Sequence, residues 1–147
     1  MIEITVGQAV TCSADQVYRA LWACERFPAW WPLPVTYVGG NPPALTINPV
    51  WFLPFIGITM RRVHGEPSRQ ITYQYVGGPL RGEGVWEILP SDVQAGPIVV
   101  QYTIRLRPTN VAYVLATQTP FFRAKHNQDI RKILTRVCAI GSVERDQ

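Results

Sequence analysis

A chain of 147 residues, 47% of them hydrophobic and 16% charged, suits one domain over residues 1–147 that buries roughly 70% of the surface its unfolded form exposes. Its net charge of +4 is spread over arginines such as Arg61, Arg62, Arg69, Arg105 and Arg107, which stand singly or in pairs on expected strands and form no dense basic run, so no nucleic-acid partner is expected. Cys12, Cys24 and Cys138 are odd in number and lack C-x-x-C spacing, which predicts neither a disulfide framework nor structural zinc and favours a reducing, cytoplasmic home.

The first element is a strand. Ile2, Ile4, Val6 and Val10 alternate with Glu3, Thr5 and Thr11, the period-two pattern of a half-buried β-segment. Glu3, Thr5 and Gln8 stand where a signal peptide needs a basic segment and an apolar core. Ser13 then precedes Gln16 at capping-box spacing, and Val17, Tyr18, Leu21 and Trp22 share one face of a short helix. Phe27-Pro28-Ala29-Trp30-Trp31-Pro32 is expected to end that helix, because each proline lacks a donor and biases its predecessor toward extended geometry.

Gly39-Gly40 and Pro42-Pro43 mark a turn. The segment from Val50 to Ile58 reads as a strand with an apolar loop. The longest apolar region, Leu45 to Met60, is broken by Asn48, Pro49, Pro54 and Gly57, which argues against a membrane span of about 20 residues. Beyond Ile58 the strand signal strengthens. Ile71, Tyr73 and Tyr75 share a face, as do Gly84, Trp86 and Ile88, and then Ile98, Val100, Tyr102, Ile104 and Leu106. Turn residues at Gly65-Glu66-Pro67-Ser68, Gly77-Gly78-Pro79 and Pro90-Ser91-Asp92 favour an antiparallel meander, and Gly82 and Gly84 suggest a bulge or sharp bend. Thr119-Pro120 resembles an N-cap followed by proline at the first helical position. Phe122, His126, Ile130, Ile133 and Val137 then recur at helical spacing, with a start as early as Val111 left open.

Strand, Trp-bearing short helices, long antiparallel strands and terminal helix, in that order, resemble the START-like, Bet v 1-like (SRPBCC) superfamily, and bacterial polyketide cyclase/dehydrase-like proteins in particular. The resemblance rests chiefly on ITYQYVGGPLRGEGVWEI, from Ile71 to Ile88, with Val99-Val100-Gln101-Tyr102 and the later His126. It implies an α+β helix-grip fold, a curved antiparallel sheet around a long C-terminal helix with an apolar cavity between them. Ala95-Gly96-Pro97 departs from the usual Gly-Thr before the last strand. Function does not follow from such a fold, since its members bind lipids, sterols or polyketides and only some catalyse.

The expected cavity wall comprises Trp22, Ile58, Met60, Tyr73 and Tyr75 from the first half, with Trp86, Val100, Tyr102, Phe122 and Ile130 from the second. Each of these residues also suits plain core packing. The tyrosine hydroxyls need partners when buried, so they are candidates to orient a ligand carbonyl or phenol. His126, on the apolar stripe of the terminal helix, is the candidate general base. His64 shares parity with Ile58 and Met60 and would point inward on an unbroken strand. Arg62 has that parity too, so either a polar cavity end or a break in register is required.

Trp30, Trp31, Trp51, Phe52 and Phe55 crowd near prolines and are expected at the cavity entrance, where they would gate it or touch a bilayer transiently. With two histidines and no H-E-x-x-H or Cys/His cluster, neither metal nor cofactor is expected. The leading expectation is therefore a binder or carrier of a small hydrophobic molecule. An enzyme using His126 or His64 with tyrosine hydroxyls, and an interaction module with a filled core, are the alternatives.

Overall fold

The computed structural model describes residues 2–48, 57–90 and 97–145. Seven antiparallel strands form one sheet in the order β1-β7-β6-β5-β4-β3-β2. These are β1 (Ile2–Val10), β2 (Val35–Gly39), β3 (Ala44–Ile47), β4 (Ile58–Glu66), β5 (Gln70–Gly77), β6 (Leu80–Leu89) and β7 (Ile98–Pro108). Strands β2 to β7 follow one another as a meander, whereas β1 pairs with β7 at the far edge. Two helices bridge β1 and β2: α1 (Ala14–Trp22) and, after a tight turn at Cys24–Arg26, the four-residue α2 (Phe27–Trp30). Two more follow the sheet, α3 (Val111–Thr117) and the 26-residue α4 (Pro120–Arg145). This is the helix-grip architecture that the sequence suggested.

Alternation explains which face is buried. Ile71, Tyr73 and Tyr75 of β5, Trp86 and Ile88 of β6, and Val100, Tyr102, Ile104 and Leu106 of β7 all turn inward and are buried. Against them lies the apolar stripe of α4, with Ile130, Ile133, Leu134 and Val137 buried. The hydroxyl of Thr119 accepts from the Phe122 amide at 3.3 Å, which caps the first turn and separates α4 from α3. The helical signal around Val111 thus belongs to a separate element.

Two other expectations change. The Phe27-Pro28 segment does not end helical structure but forms the turn of α2, because proline sits at its start, where no donor is needed. Gly82 and Gly84 carry no bulge, since β6 runs in continuous register with both neighbours. Register breaks in β4 instead, between Thr59 and Met60 and between Arg62 and His64. The turn containing Ala95 and Gly96, and most of the Val50–Ile58 segment, lie outside the described residues.

The cysteines overturn their prediction. Cys12 and Cys138 form a disulfide across a sequence separation of 126 residues. Neither spacing nor parity could reveal it, because the end of β1 and the C-terminal half of α4 meet only in three dimensions. Beside it, the buried Gln16 amide donates to the carbonyls of Val137 at 3.0 Å and Cys138 at 3.3 Å, so α1 and α4 are joined twice. The Ser13 hydroxyl accepts from the backbone N–H of Gln16 at 3.2 Å, the N-cap that its position predicted.

Candidate functional site

Between the concave face of the sheet and α4 lies a pocket of about 560 Å3. Its floor is built by the inward residues of four neighbouring strands: Met60 and Ile58 of β4, Tyr73 and Tyr75 of β5, Trp86 of β6 and Tyr102 of β7. Its roof comes from α4, which contributes Phe122, His126 and Ile130 one turn apart. Of the expected entrance residues, Trp31 lines the pocket, while Trp30 lines a separate outer groove. Trp51, Phe52 and Phe55 lie outside the described residues.

Several wall residues were not anticipated. Ile104, Leu106 and Ile133 share faces that were read correctly but had not been assigned to the pocket. Phe27 and Leu33 come from the proline-rich corner and Ile47 from the short β3, where no periodicity announces an inward face. Lys125 and Asp129 flank His126 at the pocket edge and pair at 3.0 Å. Their i,i+4 spacing was the available signal.

Trp22, Val100 and His64 depart from the expected site. Trp22 packs between the end of α1 and β4, outside the pocket, stacked on Tyr18 at 5.7 Å and capped by the Arg62 guanidinium 3.8 Å above its ring. Arg62 also donates to the Trp22 carbonyl, placing a cation at the end of α1, where the last carbonyls need donors. Val100 is enclosed in the core and supplies none of the pocket wall. His64 is exposed because the break after Arg62 reverses the parity of β4, leaving Gly65 against Trp22 and Tyr18. Of the two alternatives that parity allowed, the broken register is adopted for His64, whereas Arg62, before the break, keeps the parity of Met60 and packs on Trp22.

The three inward tyrosines have separate roles. Tyr73 donates to the Leu21 carbonyl at 2.7 Å, so its proton is committed to α1. Tyr75 and Tyr102, from strands on either side of β6, meet hydroxyl to hydroxyl at 2.8 Å. Strands two apart are separated by roughly 10 Å, and an intervening side chain would stand between the rings. Gly84 leaves that space open: a Cβ there would lie 2.1 Å from the Tyr102 hydroxyl. The Tyr102 ring also stacks on Trp86 at 4.2 Å. Burial pushes the Tyr75 hydroxyl up to about 12 and that of Tyr102 well above its ordinary value, so both stay protonated at neutral pH.

His126 lies with its ring 5.9 Å from that of Tyr102. Burial lowers its pKa to about 4, with the Asp129 carboxylate opposing the shift, so the imidazole is neutral at pH 7 and a weak base. Its Nε2 is buried without a hydrogen-bond partner, as is the Trp31 indole nitrogen. Cys24 is a buried free thiol whose pKa is raised, chiefly by burial, the opposite of an activated nucleophile. Among the described residues no three side chains are grouped to hold a metal, and no helix is long and apolar enough to cross a membrane.

A curved antiparallel sheet gripping a long terminal helix is the helix-grip class of fold. Solved structures agree. XoxI from Bacillus cereus superimposes with a TM-score of 0.69 at 15% identity, covering 96% of this chain and 99% of that one. The Aha1 dimer from Colwellia psychrerythraea gives 0.59 at 16%, covering 92% of each chain. The di-domain aromatase/cyclase (ARO/CYC) StfQ of the steffimycin biosynthetic pathway gives 0.59 at 14%, covering 96% of this chain but 52% of that one. At such identities the likeness is one of fold. No family model and no curated protein matches the sequence.

Proposed function

We propose that residues 1–147 form a single domain that binds and carries a small hydrophobic molecule between the sheet and α4. The observation that carries this reading is the pocket wall: mostly aliphatic and aromatic carbon, with its charged groups, Lys125 and Asp129, paired with each other. Such a wall rewards burial of apolar area at about 25 cal/mol per Å2 before ordering costs. A pocket of this size also argues against a filled core that serves only protein contacts. Trp30 and Trp31, half-buried at the α2 corner, suit transient contact with a bilayer surface while cargo enters.

The neighbouring aromatase/cyclase structures favour a second reading, a cyclase in which His126 removes a proton while Tyr75 or Tyr102 polarises a carbonyl. Catalysis would fall when His126 is replaced even where affinity is kept. The lowered basicity of His126 and its enclosed Nε2 weigh against it. A cytoplasmic location fits the odd cysteine count, whereas the Cys12–Cys138 bond fits an oxidising compartment. Trapping thiols in intact cells distinguishes the two.

Native mass spectrometry with organic extraction tests the carrier reading. A lipid or polyketide adduct released on denaturation is the expected result. A clean unliganded mass over several preparations, with no adduct from a hydrophobic panel, would overturn it.

A further inference from the structure

The Tyr75–Tyr102 pair leaves one hydrogen-bond donor unused. Two hydroxyls carry two protons, and the bond between them, 2.8 Å long, uses one; the other has no protein acceptor among the described residues. Both residues line the pocket, and both are buried, 9% and 4% exposed. A buried hydroxyl with nothing to donate to is unfavourable. We propose that this pair is a polar reader on the pocket floor, selecting apolar ligands that bring one hydrogen-bond-accepting oxygen, of ketone or quinone type, within reach of the two hydroxyls.

The other polar groups of the wall are engaged elsewhere, enclosed, or at its edge, where the Thr119 hydroxyl caps α4. The proton of Tyr73 is spent on Leu21. The Trp31 and His126 nitrogens are enclosed, so a ligand reaches them only if side chains move. Lys125 is ion-paired with Asp129 at the edge. The tyrosine pair is thus the donor already placed among carbon walls, and because burial raises both pKa values it remains a donor throughout the physiological range. The proposal rests on the carrier reading and adds to it the chemistry of the cargo.

Fluorenone and fluorene, which share a ring system and differ by one carbonyl oxygen, test it by fluorescence titration or calorimetry. The wild-type protein should bind fluorenone about tenfold more tightly than fluorene, the scale of one hydrogen bond to a buried neutral donor. The carbonyl stretch of bound fluorenone should fall below its value in a hydrocarbon solvent. In a Tyr75→Phe/Tyr102→Phe double variant, shown by circular dichroism to be folded, the ratio should drop to near one. Each single variant keeps one free hydroxyl and should retain most of the preference.

Equal wild-type affinity for the two probes would overturn the proposal and leave the carrier reading in place. A preference that survives in the double variant would also overturn it. Binding of neither probe by the wild type would remove both readings. The wild-type comparison decides the matter even if the double variant does not fold.

Discussion

Replacing Gly84 with alanine tests the geometry on which the pocket floor depends. The new Cβ would lie 2.1 Å from the Tyr102 hydroxyl oxygen and 2.7 Å from the ring carbon that bears it. Ordinary contact begins near 3.4 Å, so the ring must retreat by more than an ångström. It has little room to do so, because it stacks on Trp86 at 4.2 Å. Overpacking of this kind costs about 1–3 kcal/mol, and loss of the hydroxyl pair adds about 1 kcal/mol. A total of about 2–4 kcal/mol lowers Tm by roughly 5–15 °C in a domain of this size. Thermal unfolding followed by circular dichroism measures it. Adding Tyr102→Phe removes the closest clashing atom and should recover part of the loss, a coupling that a double-mutant cycle reads directly. A Tm within a degree of wild type, or a Gly84→Ala cost unchanged by Tyr102→Phe, would refute the close approach over Gly84.

Other outcomes follow from the same coordinates. Trp86→Ala removes a large pocket-lining side chain and should weaken binding of an apolar probe by at least tenfold, judged from its buried area; unchanged affinity in a folded variant would remove Trp86 from the wall. Reduction of Cys12–Cys138 opens a loop of 126 residues and should cost up to about 5 kcal/mol. A melt repeated with reductant should therefore shift downward by roughly 10 °C, and reactive thiols at both positions in non-reduced protein would contradict the bond. For His126, burial holds the folded pKa near 4 against an ordinary 6.5. As pH falls, the unfolded chain takes up this proton first. The contribution is therefore complete above about 6.5 and drains away toward about 4, by up to about 3 kcal/mol. Denaturant unfolding of wild type and His126→Phe across that range should show a shallower slope in the variant, and parallel curves would argue against a buried neutral imidazole.

Period-two alternation on β1, β5, β6 and β7 and the stripe on α4 were legible in the sequence, because a side chain's face in regular structure follows from its position alone. They determined an antiparallel sheet, a terminal helix, and which of Tyr73, Tyr75, Trp86 and Tyr102 turn inward. Whatever depends on a break in that regularity was not legible. One extra residue in β4 turned His64 out to solvent, since a shift of one reverses every face beyond it. The proline corner hid the inward positions of Phe27 and Leu33.

Long-range partnership was hidden for a different reason: it is set by distance in space, which no local pattern encodes. Cys12 met Cys138 only once β1 and α4 had packed. Tyr75 met Tyr102 across a strand only because the residue between them on that face is glycine. Local alternation and helical spacing were enough to specify the sheet, the helix and the apolar character of the space between them. The fold settles which polar groups in that space find partners and which do not, because hydrogen-bond satisfaction belongs to pairs of atoms brought together in space.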